Sequence, residues 1–406
     1  MKKSPTFLCI SSYFKGEDFL KSCKESGATV FLLTDKTLEH ADWPRESIDE
    51  FFFMESETEI QGEWNMEHLI NGLAYTMRSK KIDRIVALDD FDVEKGAALR
   101  EHFRIPGMGQ TTYRYFRDKL AMRMKAAEVN IPVPAFSGLF NDDEIHEFTQ
   151  TVSAPWMVKP RSEASAAGIK KVQNTEELWD LLNQLGDERH LFLIEKFTPG
   201  DVYHVDAITV DKKVKFVSCS QYLDTPMEVA HGGGIFRTAI VKYNSADHKD
   251  LKAINKKLMS AFGMNYSASH SEFIKSKENG QFYFLETASR VGGAHIAEMV
   301  EASTGVNIWA EWAKLEIAQA TKQPYSVPKI EKNYAGLIVS LARDKHPNDS
   351  VFQDNEIWWR MKKEYHIGLI VKSAKQDRTL ELLDQYANRI ASDFHAALPM
   401  TDNPSA

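Results

Sequence analysis

Two carboxylates and one guanidinium stand close together in the second half of the chain. Glu272 lies in a strand-like run, His270 to Ile274, and Glu286 and Arg290 lie in the next run, Phe282 to His295. The segment Lys277 to Gly280 between the runs predicts a hairpin turn, which would set the two glutamates side by side. Carboxylates that close repel unless a cation lies between them, and hard oxygen ligands suit Mg²⁺ held jointly with phosphates. The alternative is a pair of charges on an exposed sheet face.

Two further segments are rich in small residues. The strand-like run ending in Lys159 is followed by the loop Ser162 to Gly168. Such a loop lets backbone N–H groups approach an anion closely, with Lys159 as a point charge at its base. A plain flexible hairpin is the alternative, since the Gly-Lys-Ser or Gly-Lys-Thr ending of a Walker loop is absent. The segment His231 to Gly234 has three successive glycines, which fits a mobile lid or a hairpin corner equally.

Composition excludes several classes of protein. The chain has 406 residues, 43% of them hydrophobic, and a net charge of −8 without long basic blocks, so a nucleic-acid backbone is not the expected partner. Cys9, Cys23 and Cys219 are scattered without metal-ligand spacing, which predicts reduced, buried thiols. The N-terminal apolar run is too short for a signal peptide, and no run reaches membrane-spanning length. We therefore expect a cytoplasmic protein that does not associate with membranes.

The N-terminal residues predict a parallel, doubly wound α/β domain. An apolar run at Thr6 to Ile10, a helical pattern to about Gly27 and a second apolar run at Thr29 to Leu33 form a βαβ unit. A further strand is expected within Ile82 to Asp90. Only one glycine, Gly16, follows the first strand, so a dinucleotide fingerprint is absent.

The order of the later motifs carries more information than any one of them. A helix containing Arg-Asp-Lys119, a strand ending in Val-Lys159-Pro, a small-residue loop, a strand with Glu195-Lys-Phe and a late Glu/Glu/Arg group follow one another. This series resembles the ATP-grasp superfamily over essentially the whole chain. The resemblance implies an N-terminal domain (1–112), a central two-subdomain ATP-grasp fold (113–327, nucleotide-binding to about 198) and a small C-terminal α/β unit with a disordered tail (328–406).

The resemblance also implies roles for residues at matching positions. ATP would contact Lys119, Lys159, Ser162, Ser165, Gly168, Glu195, Lys196, Phe197 and Asp201, with Glu195 and the backbone of the next two residues at the adenine and Asp201 at the ribose. One or two Mg²⁺ ions, with Mn²⁺ as a substitute, would be held by Glu272 and Glu286. Arg290 would be catalytic, and the substrate pocket would include His231, Gly233, Gly234, Arg290, Gly293 and His295.

Two positions depart from the family pattern. Ala288 stands where the family commonly has an asparagine that ligates metal, and Asp201 is one methylene shorter than the usual glutamate. The run from Glu286 to His295 most resembles carboxylate–amine ligases, which join small molecules such as amino acids through an acylphosphate and release ADP and phosphate. The alternatives are a carboxylase of the biotin-dependent or purine-biosynthesis type, and a nucleotide-binding scaffold with a degenerate site. Family resemblance favours a homodimer.

Overall fold

The computed structural model describes residues 4–163, 168–225, 229 and 233–396. It is a mixed α/β structure with three sheets, which confirms the predicted fold class. The predictions made for Ser165, His231 and the tail from Thr401 lie outside the described residues.

The N-terminal sheet is parallel, with strand order β3-β2-β1-β4. Its elements are β1 (Thr6–Ser11), α1 (Glu17–Glu25), β2 (Thr29–Asp35), β3 (Glu50–Met54), α2 (Met66–Thr76), β4 (Arg84–Ala87) and α3 (Val93–Phe103). Alternate residues of β1 enter two different cores, Phe7 and Cys9 on one face and Leu8 and Ile10 on the other. Burial on both faces explains why these strands are continuous apolar runs.

The second sheet is antiparallel, with strand order β5-β8-β6-β7. This part of the chain contains α4 (Gln110–Tyr113), α5 (Lys119–Glu128), β5 (Phe136–Gly138), α6 (Asp142–Thr151), β6 (Trp156–Pro160), β7 (Lys170–Val172), α7 (Thr175–Leu185) and β8 (Phe192–Lys196). The helix predicted to contain Arg117, Asp118 and Lys119 begins only at Lys119. Asp118 caps α5 by accepting from the N–H groups of Leu120 and Ala121.

The third sheet has eight strands in the order β13-β12-β9-β10-β11-β14-β16-β15. Its strands are β9 (Gly200–Val210), β10 (Lys213–Tyr222), β11 (Phe236–Ile240), β12 (Ser267–Ser276), β13 (Phe282–Ala288), β14 (Tyr334–Leu341), β15 (Ile357–Arg360) and β16 (His366–Ser373). The helices around it are α8 (Ala246–Ala261), α9 (Ile296–Thr304), α10 (Ile308–Thr321) and α11 (Gln376–Asp393).

The expected C-terminal unit is part of this large sheet. β14 pairs with β11, so the strands after residue 328 continue the sheet of the preceding region and close its free edge. The helix α11 packs on β14 and β16. At the other end of the chain, α1 packs on α10, with Phe19 edge-on to Trp312 at 5.0 Å between ring centroids.

Cys9, Cys23 and Cys219 are buried and unpaired, as predicted. Among the described helices, none combines the length and apolar character needed to cross a bilayer.

Candidate active site

Glu272 and Glu286 lie directly opposite each other on neighbouring strands. Residues of β12 and β13 pair antiparallel with Glu272 facing Glu286, as the hairpin pattern predicted. The ammonium of Lys119 lies 2.8 Å from Oε2 of Glu286 and donates to the carbonyl of Glu163 at 2.6 Å. A cation therefore already stands beside one of the paired carboxylates, and the oxygen donor set fits Mg²⁺.

Glu272 is held by its neighbours on the sheet. Tyr222 donates its hydroxyl to Oε1 of Glu272 at 2.8 Å, and Nε2 of His270 lies 3.6 Å from the same oxygen. Burial favours the neutral acid, but the contacts with His270 and Tyr222 lower the pKa of Glu272. Its side chain is 17% exposed. The carboxylate thus stays ionised at neutral pH and is oriented through one of its two oxygens.

A second charged cluster surrounds Glu195 on β8. Oε2 of Glu195 accepts from Nη2 of Arg123 at 2.8 Å, and Oε1 pairs with Lys159. Burial opposes ionisation, yet Arg123 and Lys159 lower the pKa of Glu195 to about 2. Arg123 also donates to the carbonyl of Leu285, next to Glu286. One buried guanidinium therefore joins the predicted adenine end of the site to the strand that carries the predicted metal ligand.

The backbone N–H groups of the two residues after Glu195 already have partners in the protein. The N–H of Lys196 donates to Ala135 at 2.8 Å and that of Phe197 donates to Pro155 at 3.1 Å, so only their carbonyls remain for a purine edge. The ribose contact of Asp201 stays a prediction, and the residue lies apart from Glu272 on the large sheet. In the β9–β12 ladder Asp201 lies three residues from the partner of Glu272, which places it on the opposite face of the sheet.

Arg290 connects the large sheet to the N-terminal domain. Its Nε donates to Oδ2 of Asp90 at 2.9 Å, and its Nη1 donates to the carbonyl of Val291 at 2.9 Å. Burial disfavours the charge, but Asp90, Asp89 and Glu286 raise the pKa of Arg290. Arg290 is therefore a fixed cation within electrostatic reach of the carboxylate pair.

The remaining predicted residues occupy three places. Ser162 is exposed and Gly168 adopts a φ of +68°, at the two described ends of the loop that Lys119 contacts through Glu163. His295 donates from Nδ1 to Oε1 of Glu298 at 2.7 Å and packs on Trp359. A side-chain carbon at Gly293 would meet none of the described atoms within 4 Å. Gly234 lines a cavity of about 310 Å³ beside α11. Gly233 precedes it in the chain with a φ of +62°.

Several residues of the site were not predicted from the sequence, namely Arg123, Tyr222, Asp90 and the cluster of His204, Asp206 and His270. His204-x-Asp206 and His270-x-Glu272 each place two ionisable residues at alternate positions of a strand. This spacing indicates that the two members of each pair face the same side of the sheet. Arg123 and Asp90 gave no such signal, because their partners lie 72 and 200 residues away.

The fold and the site together define an ATP-grasp protein, with one charged cluster on each of two antiparallel sheets. A family model described as "Carbamoyl-phosphate synthase L chain, ATP binding domain" matches residues 117–323. The chain belongs to this family, whose domain is of the ATP-grasp type.

Comparison with individual proteins agrees with this assignment. The chain is 27% identical over 234 residues to an L-arginine-specific L-amino acid ligase of Bacillus subtilis, covering 56% of each chain. It is 21% identical over 204 residues to a D-alanine–D-alanine ligase of Neisseria gonorrhoeae, covering 49% of this chain and 66% of that protein. The matched regions thus span only about half to two thirds of these relatives.

The whole fold is also found in solved structures. The structure of an L-amino acid ligase from Bacillus licheniformis superposes with a TM-score of 0.73 at 15% identity, covering 99% of this chain and 100% of the other. A biotin carboxylase from Campylobacter jejuni superposes with a TM-score of 0.67 at 14% identity, covering 94% and 90%. These similarities establish the fold.

Proposed function

We propose that this protein is an ATP-dependent ligase that joins a small carboxylate, such as an amino acid, to a small amine. The observation that carries the proposal is the paired Glu272 and Glu286 with the ammonium of Lys119 at 2.8 Å from Glu286. Opposed carboxylates with cationic side chains around them are the groups that phosphoryl transfer requires. The names of the relatives, an L-amino acid ligase and a D-alanine–D-alanine ligase, support amino acids as substrates.

The chemistry follows from the weakness of a carboxylate as an electrophile. An oxygen of the substrate carboxylate attacks the γ-phosphorus of ATP, the bond to the β-phosphate oxygen breaks, and ADP leaves. The amine then attacks the acyl carbon of the acylphosphate, phosphate leaves, and the amine loses a proton. In the first step the protein positions its substrates and neutralises charge, for which Lys119, Lys159 and Arg290 are suited.

Magnesium belongs to the proposal. Glu272 and Glu286 would hold Mg²⁺, or Mn²⁺ in its place, and the ion would supply further neutralisation of the phosphate oxygens. Ala288, across the ladder from His270, contributes no side-chain oxygen, which favours one tightly held ion over two.

The buried free cysteines support a reducing, cytoplasmic location. The proposal includes assembly as a homodimer, which the family resemblance favours.

The test is a panel of amino-acid pairs with ATP and Mg²⁺, in which phosphate and pyrophosphate are measured separately. We expect phosphate and ADP, in equal amounts, only when a carboxylate and an amine are both present. ADP formation that depends on bicarbonate would indicate a carboxylase instead. Pyrophosphate and AMP would exclude the acylphosphate, and no turnover with any pair would favour a binding protein with a degenerate site.

Glu286→Gln tests the metal assignment. We expect it to abolish Mg²⁺-dependent ADP release while the melting temperature stays near that of the wild type, because the side chain of Glu286 is 34% exposed and its ion pair contributes about 1 kcal/mol or less. Glu278→Gln, on the turn of the same hairpin and 59% exposed, is the matched control and should keep full turnover. Full turnover of Glu286→Gln would show that the metal assignment is wrong.

A further inference from the structure

A buried polar cluster of the large sheet, formed by His204, Asp206 and His270, has no part in the function proposed above. We propose that Asp206, with His204 and His270, is a positioning array that fixes both Glu272 and the backbone at Gly292. This inference rests on the proposed function, because Glu272 matters only as a ligand of the proposed ion.

The array is a chain of hydrogen bonds across four strands. Asp206 on β9 is 1% exposed, and each of its oxygens accepts from one ring: Oδ2 from Nδ1 of His204 and Oδ1 from Nδ1 of His270, both at 2.8 Å. Nε2 of His204 lies 2.8 Å from the hydroxyl of Thr238 on β11, which in turn donates to the carbonyl of Gln221 on β10. Each ring is therefore oriented by a partner on its far side.

His270 connects the array to the carboxylate pair. Its Nδ1 is held by Asp206, so its Nε2 is directed at Oε1 of Glu272, the oxygen that Tyr222 also contacts. Among the described residues, no hydrogen bond is donated to the other oxygen, Oε2. One oxygen of Glu272 therefore accepts a hydrogen bond from Tyr222 and faces the ring of His270 at 3.6 Å, which leaves the other oxygen to a cation. Polar groups that orient a metal ligand in this way commonly change metal affinity or activity by about 10- to 100-fold when removed.

The same array supports the loop after Arg290. A side-chain carbon at Gly292 would lie 2.9 Å from Nδ1 of His270 and 3.0 Å from Oδ1 of Asp206, so the backbone passes directly over the hydrogen bond between them. The loop begins at Arg290 and ends at His295. The array therefore links the position of the proposed metal ligand to that of the proposed substrate-binding residues.

A metal ion bound by the three side chains themselves is a different assignment. His204, Asp206 and His270 could offer three ligand atoms within 4.8 Å of one another. Their separations of 2.8 Å are those of hydrogen bonds, however, and both carboxylate oxygens already accept from ring nitrogens. The geometry favours a structural hydrogen-bonded array, and the experiment distinguishes the two.

Asp206→Asn is the test variant, because it keeps the shape of the side chain but can accept from only one of the two rings. The affinity for ADP is measured by calorimetry with and without Mg²⁺, and ADP release is measured as a function of Mg²⁺ concentration. We expect metal-free ADP affinity to stay within about twofold of the wild type and the half-maximal Mg²⁺ concentration to rise about 10- to 100-fold. Saturating Mg²⁺ should restore most of kcat, which a merely structural defect would not allow.

Two further variants complete the experiment. Thr209→Val is the matched control. Thr209 lies on the same strand as Asp206 but on the opposite face, and its buried hydroxyl has no hydrogen-bond partner among the described residues, so the Mg²⁺ dependence should not change. Thr238→Val removes only the hydroxyl that contacts Nε2 of His204. It should raise the half-maximal Mg²⁺ concentration as Asp206→Asn does, but by a smaller factor. It tests the array if Asp206→Asn does not fold.

Three results would overturn the proposal, and they differ in what else they affect. If wild-type protein shows Mg²⁺-dependent nucleotide binding and Asp206→Asn shows the same dependence, the array does not position Glu272 and the proposed function stands. If wild-type protein shows no Mg²⁺-dependent nucleotide binding, the proposed function fails and the array has no role in it. If mass spectrometry finds one transition metal per wild-type chain that Asp206→Asn loses, the cluster is itself a metal site.

Discussion

Glu195 should be a strong stabiliser of the fold as well as a ligand-binding residue. It is 2% exposed and lies between Arg123, 1% exposed, and Lys159, 13% exposed at the side chain. Glu195→Gln keeps the shape but leaves two buried cations without an anion. Breaking a buried ion pair on one side typically costs about 3 to 5 kcal/mol. The pKa gives an independent figure, since lowering it from 4.5 to about 2 corresponds to on the order of 3 kcal/mol.

The pH dependence of this effect has a definite sign. The pKa of Glu195 is lower in the folded than in the unfolded chain, so the ionised carboxylate stabilises the fold fully above about pH 4.5. The stabilisation is lost as the pH falls through about 2. The difference in free energy of unfolding between wild type and Glu195→Gln should therefore be largest at pH 7 and roughly half or less of that value near pH 3.

Urea titrations of both proteins at pH 7, 5, 4 and 3, followed by tryptophan fluorescence, measure this difference. Glu128→Gln is the control: it lies on α5 like Arg123, but its carboxylate is 65% exposed and pairs with Lys125. The control should change stability by less than about 0.5 kcal/mol. A free energy of unfolding for Glu195→Gln within about 1 kcal/mol of the wild type at pH 7 would show that Glu195 is not a strong stabiliser. An equal difference at pH 7 and pH 3 would show that its ionisation is not the cause.

Two further predictions concern the loop after β13. Gly292→Ala should destabilise the protein by about 1 to 3 kcal/mol, because its new carbon would lie 2.9 Å from Nδ1 of His270, whereas Gly293→Ala, with nothing within 4 Å, should leave the melting temperature unchanged. Equal melting temperatures for the two variants would contradict the observed packing. Asp90→Asn should lower both the melting temperature and kcat, because it leaves the largely buried Arg290 without its carboxylate partner. A variant with wild-type values of both would show that this ion pair is dispensable.

Much of the candidate site could be predicted because its residues are local in sequence. Glu272 and Glu286 are joined by a short turn, so hairpin geometry alone pairs them, and the ladder has the expected register. The apolar runs of the N-terminal domain likewise predicted its parallel strands, since strands buried on both faces must be apolar throughout. The order of Lys119, Lys159 and Glu195 indicated the superfamily, and the family model agrees.

Other features depend on contacts between distant residues. Asp118, which caps α5 through a local contact, also pairs with Arg161, 43 residues away. The separation of Asp201 from the carboxylate pair follows from the three-residue offset in the β9–β12 ladder, which no motif records. The C-terminal strands, predicted as a small unit of their own, continue the large sheet because the edge of β11 pairs with β14.

The sequence by itself determined which chemical groups are present and which of them lie close together through a single turn. The tertiary structure decided their charge partners: Arg123 with Glu195, Arg290 with Asp90, and the two histidines with Asp206. The physical reason is that a buried charge must find its partner in space, and that partner can lie anywhere along the chain.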